Sequence, residues 1–100
     1  MRPAVLTPDE LELDSLALEL ETFVNGERRQ HGSTSDFLFS VAELIEAATR
    51  EATLQPGDLI CTGTPGGVGA ATGVFLKPGD VIEVRIAGIG ALRNQVVADA

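Results

Sequence analysis

The sequence predicts an α+β domain, mostly β, with one main helix. Three observations lead there. An alternating run ends in Asn25-Gly26, two Pro-Gly-Asp turns each open a β-rich run, and one apolar helical stripe begins at a capping box.

The alternating run is LALELETFVNGERRQ, residues 16–30. Leu16, Leu18, Leu20, Thr22 and Val24 alternate with Ala17, Glu19, Glu21 and Phe23, the period of a half-buried strand. Asn25-Gly26 supplies the two positive-φ positions of a type I′ turn and marks a hairpin. A tight turn sets Phe23 opposite Arg28 and Glu21 opposite Gln30. The helix comes next. Ser40 and Glu43 have capping-box spacing, and Phe39 is placed to staple onto Leu44. Val41, Leu44, Ile45, Ala48 and Ala52 form one stripe, and the helix should stop before Pro56-Gly57.

Pro56-Gly57-Asp58 and Pro78-Gly79-Asp80 set Pro and Gly in the order of a type II turn. The first leads into LICT, the second into VIEVRI, where Ile82, Val84 and Ile86 face one way and Glu83 and Arg85 the other. Gly88 and Gly90 then turn the chain back into ALRNQVV. No linker divides the sequence, so residues 1–100 read as a single segment.

With 7 Lys plus Arg against 15 Asp plus Glu, the formal charge is -8. Nucleic-acid backbones and anionic membranes would be repelled. The 4 aromatics are all Phe, which offers no platform for stacked bases. No run reaches the roughly 18 apolar residues of a membrane span, and residues 1–8 lack a signal-peptide pattern. One cysteine, Cys61, allows no internal disulfide. A cytoplasmic setting is expected.

GDLICTGTPGGVG, residues 57–69, delivers its apolar run to a loop rich in glycine. A Walker loop would need Lys-Ser/Thr after Gly69, where Ala70-Ala71-Thr72 stand instead. A dinucleotide fingerprint would need a third glycine where Thr72 stands, and a helix after it; no helix pattern follows. Phosphate binding fails on both counts. Two readings remain open. Thr62-Gly63-Thr64-Pro65 could present a hydroxyl and bare amides to a small carboxylate or enolate, or the glycines could serve only a tight turn.

The stretches VLTPDEL (5–11), FVNGERRQHGSTSDFLFSVAELI (23–45), LQPGDLICTGTPGGVG (54–69) and FLKPGDVIEVRIAGIGALRNQVV (75–97) carry a family resemblance. In this order they resemble the C-terminal part of the fumarylacetoacetate hydrolase catalytic domain. The resemblance implies a mixed β-roll, commonly dimeric, and a metal-dependent reaction on a small oxo-diacid or diketo acid. That reaction is hydrolysis of a carbon–carbon bond, or isomerisation or decarboxylation of hydroxymuconate-type compounds in aromatic catabolism. The implied cofactor is Mg2+, or Mn2+ or Ca2+, with its ligands outside this chain. The matched motif makes Thr64, with Gly63 and Pro65, the substrate-binding residues, and Gln30 falls near the same pocket. The family's Asn-Thr is Ser33-Thr34 here, and its Pro-Ala-Gly is Pro65-Gly66-Gly67.

The chain resembles the second part of such an enzyme and is expected to be inactive alone. The alternative is a non-catalytic remnant or binding module that keeps the fold. Glu19-x-Glu21 suggests the family's metal motif but lies in the hairpin, where a solvated face is expected. His31 has no recognisable partner and reads as a surface residue. Cys61 reads as an inert core thiol within a strand, and Arg28 and Arg29 as surface charges.

Overall fold

Asn25 and Gly26 carry φ values of 52° and 81°, so the hairpin turns as a type I′ connection whose twist suits its strands. In the computed structural model, which describes Leu6 and residues 17–99, this turn joins β1 (Glu19–Val24) to β2 (Glu27–Ser33). Leu16 and most of VLTPDEL lie outside the described residues. A short 3-10 turn (Thr34–Asp36), helix α1 (Val41–Glu51), a one-turn helix α2 (Gly69–Thr72), β3 (Val81–Ile86) and β4 (Gly90–Gln95) follow. The strands form one antiparallel sheet in the order β2-β1-β3-β4.

The hairpin register departs from expectation in one place. Phe23 does face Arg28, but Glu21 faces His31 and Gln30 faces Thr22. A bulge between Thr22 and Phe23 inserts Arg29 into β2. Because strand side chains alternate, a one-residue slip carries every later side chain to the other face. Gln30 therefore leaves the charged face and joins Leu20, Thr22 and Val24, beside Ile86, Val84 and Ile82 of β3.

The opposite face is charged. Glu21 pairs with Arg28 at 3.5 Å, and Arg85 pairs with Glu83 at 2.8 Å while lying 4.3 Å from the centroid of the Phe23 ring. Exposed pairs of this kind stabilise by well under about 1 kcal/mol each. Their main effect is to keep this face wet.

Helix α1 starts as its residues dictate. The Glu43 N–H donates to Ser40 Oγ at 3.1 Å, and the Ser40 N–H donates to Glu43 Oε1 at 3.3 Å, a complete capping box. Val41, Leu44 and Ala48 are half-buried, whereas Ile45 on the same stripe is exposed. Helix α2 was not legible in the sequence. Ala70 and Ala71 favour helix, and Gly73 in the left-handed region ends it by donating its N–H to Gly69 O at 2.8 Å.

The two Pro-Gly-Asp turns close alike. The Asp58 N–H donates to Gln55 O at 3.0 Å and the Asp80 N–H to Lys77 O at 3.1 Å. Each aspartate also accepts its turn's first N–H, from Gln55 at 2.7 Å and from Lys77 at 3.0 Å. Their outcomes differ. VIEVRI becomes β3, with β1 and β4 on its two sides. LICT, expected as a β run, pairs with no strand among the described residues, and Leu59 is 93% exposed. A backbone with no neighbour to take its N–H and C=O groups makes no ladder, whatever its side chains prefer.

One polar knot ties the hairpin to the second turn. Asn25 Nδ2 donates to Asp80 Oδ1 at 2.9 Å, and the Val81 N–H donates to Asn25 Oδ1 at 2.9 Å. Asp80, 5% exposed, and Val24, 7% exposed, are the buried residues of the described chain. Leu38, Leu59 and Val97 stay at 93%, 93% and 77% exposure. Apolar patches beyond several hundred Å2 generally mark association surfaces. The isolated chain is expected to self-associate, with sedimentation velocity as the check. A monomer that unfolds in one sharp transition would contradict this.

Candidate functional site

A cleft of about 670 Å3 opens over the apolar face of the sheet. Leu20, Thr22 and Val84 form its floor, Phe37, Phe39 and Leu44 one wall, and residues 62–65 of the glycine loop another. An apolar cleft with a few placed polar groups is the usual form of a small-molecule site.

The polar groups converge at the loop. Gln30 Nε2 donates to Thr64 Oγ1 at 2.8 Å and to Pro65 O at 2.9 Å. The bulge makes this contact available, since the uninterrupted register would aim Gln30 at the charged face. Two further contacts seat the loop on β2. A Cβ on Gly32 would come within 3.0 Å of Pro65 Cβ, and one on Gly67 would overlap the Arg29 carbonyl oxygen. Around Gly63, by contrast, a Cβ would meet no atom within 4 Å. The loop is held at Pro65 and Gly67 and open at Gly63. All four residues that the sequence marked, Gln30, Gly63, Thr64 and Pro65, line this one cleft.

Other expectations need correction. His31 does have a partner: its Nε2 lies 2.8 Å from Glu19 Oε2, diagonally across the hairpin, and both residues are exposed. Cys61, expected in the core of a strand, is exposed and outside any strand, because LICT is unpaired. Arg28 is a surface charge as read. Arg29 is half-buried, 3.4 Å from Glu27 Oε1, and its Nε makes no hydrogen bond among the described residues. Asp36, the one carboxylate lining the cleft among the described residues, carries no motif that marks it in the sequence. Nothing in its neighbourhood of small polar residues sets it apart.

Glu19 and Glu21 are each engaged by a basic side chain, His31 and Arg28. Among the described residues no three His, Cys, Asp or Glu side chains are grouped to hold a metal ion. The described part of the site therefore does not fit a resident cation. No described helix is long and apolar enough to cross a membrane.

The cleft and its TGTP loop lie on a mostly β fold with one main helix, the fold class that the sequence predicts. Residues 1–97 match the fumarylacetoacetate (FAA) hydrolase C-terminal domain, and the chain belongs to that family. It is 52% identical over 81 residues to the oxaloacetate tautomerase YisK of Bacillus subtilis, covering 79% of this chain and 27% of that protein. It is 43% identical over 96 residues to the Escherichia coli 4-hydroxyphenylacetate degradation bifunctional isomerase/decarboxylase, covering 96% of this chain and 21% of that protein.

Among solved structures, fumarylacetoacetate hydrolase from Exiguobacterium antarcticum superposes with a TM-score of 0.85 at 46% identity, over 94% of this chain and 34% of that one. Fumarylpyruvate hydrolase from Pseudomonas aeruginosa, solved in complex with Mn2+ and pyruvate, gives 0.75 at 35% identity, over 83% of this chain and 34% of that one. The chain thus spans about a third or less of the length of these relatives.

Proposed function

We propose that this chain is the C-terminal portion of a metal-dependent enzyme acting on a small oxo-diacid or diketo acid. The reaction class is carbon–carbon bond hydrolysis, or isomerisation or decarboxylation of hydroxymuconate-type compounds. One observation carries the reading: Gln30 holds Thr64 at the edge of the cleft, beside open backbone at Gly63. A carboxylate reaching that corner meets a hydroxyl donor with no side chain in the way. The divalent cation, magnesium or manganese, takes its ligands from outside the described residues. A homodimer in the cytoplasm completes the proposal.

Thr64→Val tests it, because valine keeps the shape and removes the hydroxyl. A hydrogen bond to a charged group contributes roughly 1.5–3 kcal/mol, so kcat/KM of the complete enzyme should fall about ten- to a hundredfold. The melting temperature should barely change, since Thr64 is exposed. Wild-type kcat/KM in a folded variant would leave the loop a connector.

A further inference from the structure

The family resemblance places Gln30 beside the substrate pocket, but its hydrogen bonds leave it little to offer an anion. A primary amide has two hydrogens, and Nε2 has two acceptors within reach, Thr64 Oγ1 at 2.8 Å and Pro65 O at 2.9 Å. What remains is Oε1, an acceptor, which a carboxylate cannot use. The situation at Thr64 is the reverse. Its oxygen accepts from Gln30, so its own hydrogen must point elsewhere, and no acceptor among the described residues takes it.

We infer that Gln30 is a positioning residue: it spends both amide hydrogens on the loop, and thereby turns the Thr64 hydroxyl hydrogen outward as the cleft's donor. The inference rests on the reading of Thr64 as a carboxylate contact and adds a division of labour to it. Accepting one hydrogen bond also polarises the hydroxyl, making it a better donor in a second. The Arg29 bulge is part of the device, since it brings Gln30 to the cleft face.

A double-mutant cycle decides between positioning and direct contact. In the full-length protein that carries this segment, supplied with Mn2+, pyruvate affinity is measured for wild type, Gln30→Met, Thr64→Val and the pair. Each single variant should weaken pyruvate about tenfold, the loss of one hydrogen bond to a charged group. The pair should be no weaker than Thr64→Val alone. Multiplied losses, about a hundredfold for the pair, would mean that Gln30 touches pyruvate itself and would overturn the inference. Wild-type affinity in Thr64→Val would instead overturn the carboxylate reading beneath it, as would a wild type that ignores pyruvate.

Two further measurements keep the outcomes apart. Without pyruvate, amide NMR of Thr64→Val should show one Gln30 side-chain hydrogen exchanging freely while the one on Pro65 O stays protected. No change would overturn the positioning geometry. Should Gln30→Met fail to fold, Gln30→Glu supplies a pH profile. The ionised side chain has no hydrogen to give and takes the Thr64 hydrogen for itself, so affinity should recover as the pH falls and the acid regains a proton. A flat profile, with affinity equal to wild type, would overturn the inference.

Discussion

Gly67→Ala should lift the glycine loop off β2 and lower kcat/KM of the complete enzyme at least about a hundredfold, the scale of a misplacement near 1 Å. Gly67 has φ 104°, a region that costs other residues about 1–3 kcal/mol. Its added methyl group would also overlap the Arg29 carbonyl oxygen, backbone that cannot swing aside, and forced overpacking costs another 1–3 kcal/mol or so. Lifting the loop sacrifices chiefly the two Gln30 hydrogen bonds, about 0.5–1.5 kcal/mol each. The cheaper course wins, so the loop should leave while the sheet stays. Amides of residues 62–69 should then exchange faster with solvent, with a small change in melting temperature. Gly63→Ala is the control. It shares the positive φ, at 105°, but its methyl group would meet nothing, so the loop should stay seated. Unchanged exchange in Gly67→Ala would show that the loop is not held through this contact.

Asp80→Asn should lower the melting temperature at neutral pH, and the gap to wild type should close in acid. The Lys77 backbone N–H and the Asn25 amide both donate to the Asp80 carboxylate, and together with the Lys77 ammonium they outweigh its burial and hold its pKa below the ordinary 3.8. A carboxylate whose pKa is lowered by folding stabilises the fold fully above its unfolded value. That contribution is lost as the pH falls through the lower, folded value. Asparagine carries no such charge, and its own NH2 would confront a donor. Thermal melts of both proteins from pH 7 downward should therefore converge below about pH 3.8. Parallel curves across that range would show that the charge at Asp80 is not what ties the turn.

The parts legible in the sequence were those decided within a few residues. The Asn25-Gly26 turn, both Pro-Gly-Asp turns and the Ser40–Glu43 capping box each follow from local dihedral preferences and neighbouring hydrogen bonds. What escaped depends on distant partners. The bulge at Arg29 shows only once β1 and β2 are aligned, and it alone decides that His31, not Gln30, lies opposite Glu21. LICT has the composition of a strand, but pairing needs a neighbour that the described chain does not supply. The site was legible in a different way. Local reading left the TGTP loop open between cradle and connector. Only the family motifs pointed to Thr64 and Gln30, whose side chains meet across 34 residues of sequence.

The Asn25–Asp80 bond also has a kinetic meaning. It joins residues 55 apart, while the turn beside it joins neighbours. The hairpin can form on the microsecond scale, yet an isolated two-stranded ribbon is marginal in water. It gains its third strand only after a long segment has looped back, and the entropy of that closure comes before any compensating contact. Helix α1, the TGTP loop and both Pro-Gly-Asp turns all lie inside the segment being closed. Docking of β3 is therefore expected to limit the folding rate. The cleft cannot be assembled ahead of it, because Val84, part of its floor, arrives on the strand that completes the loop.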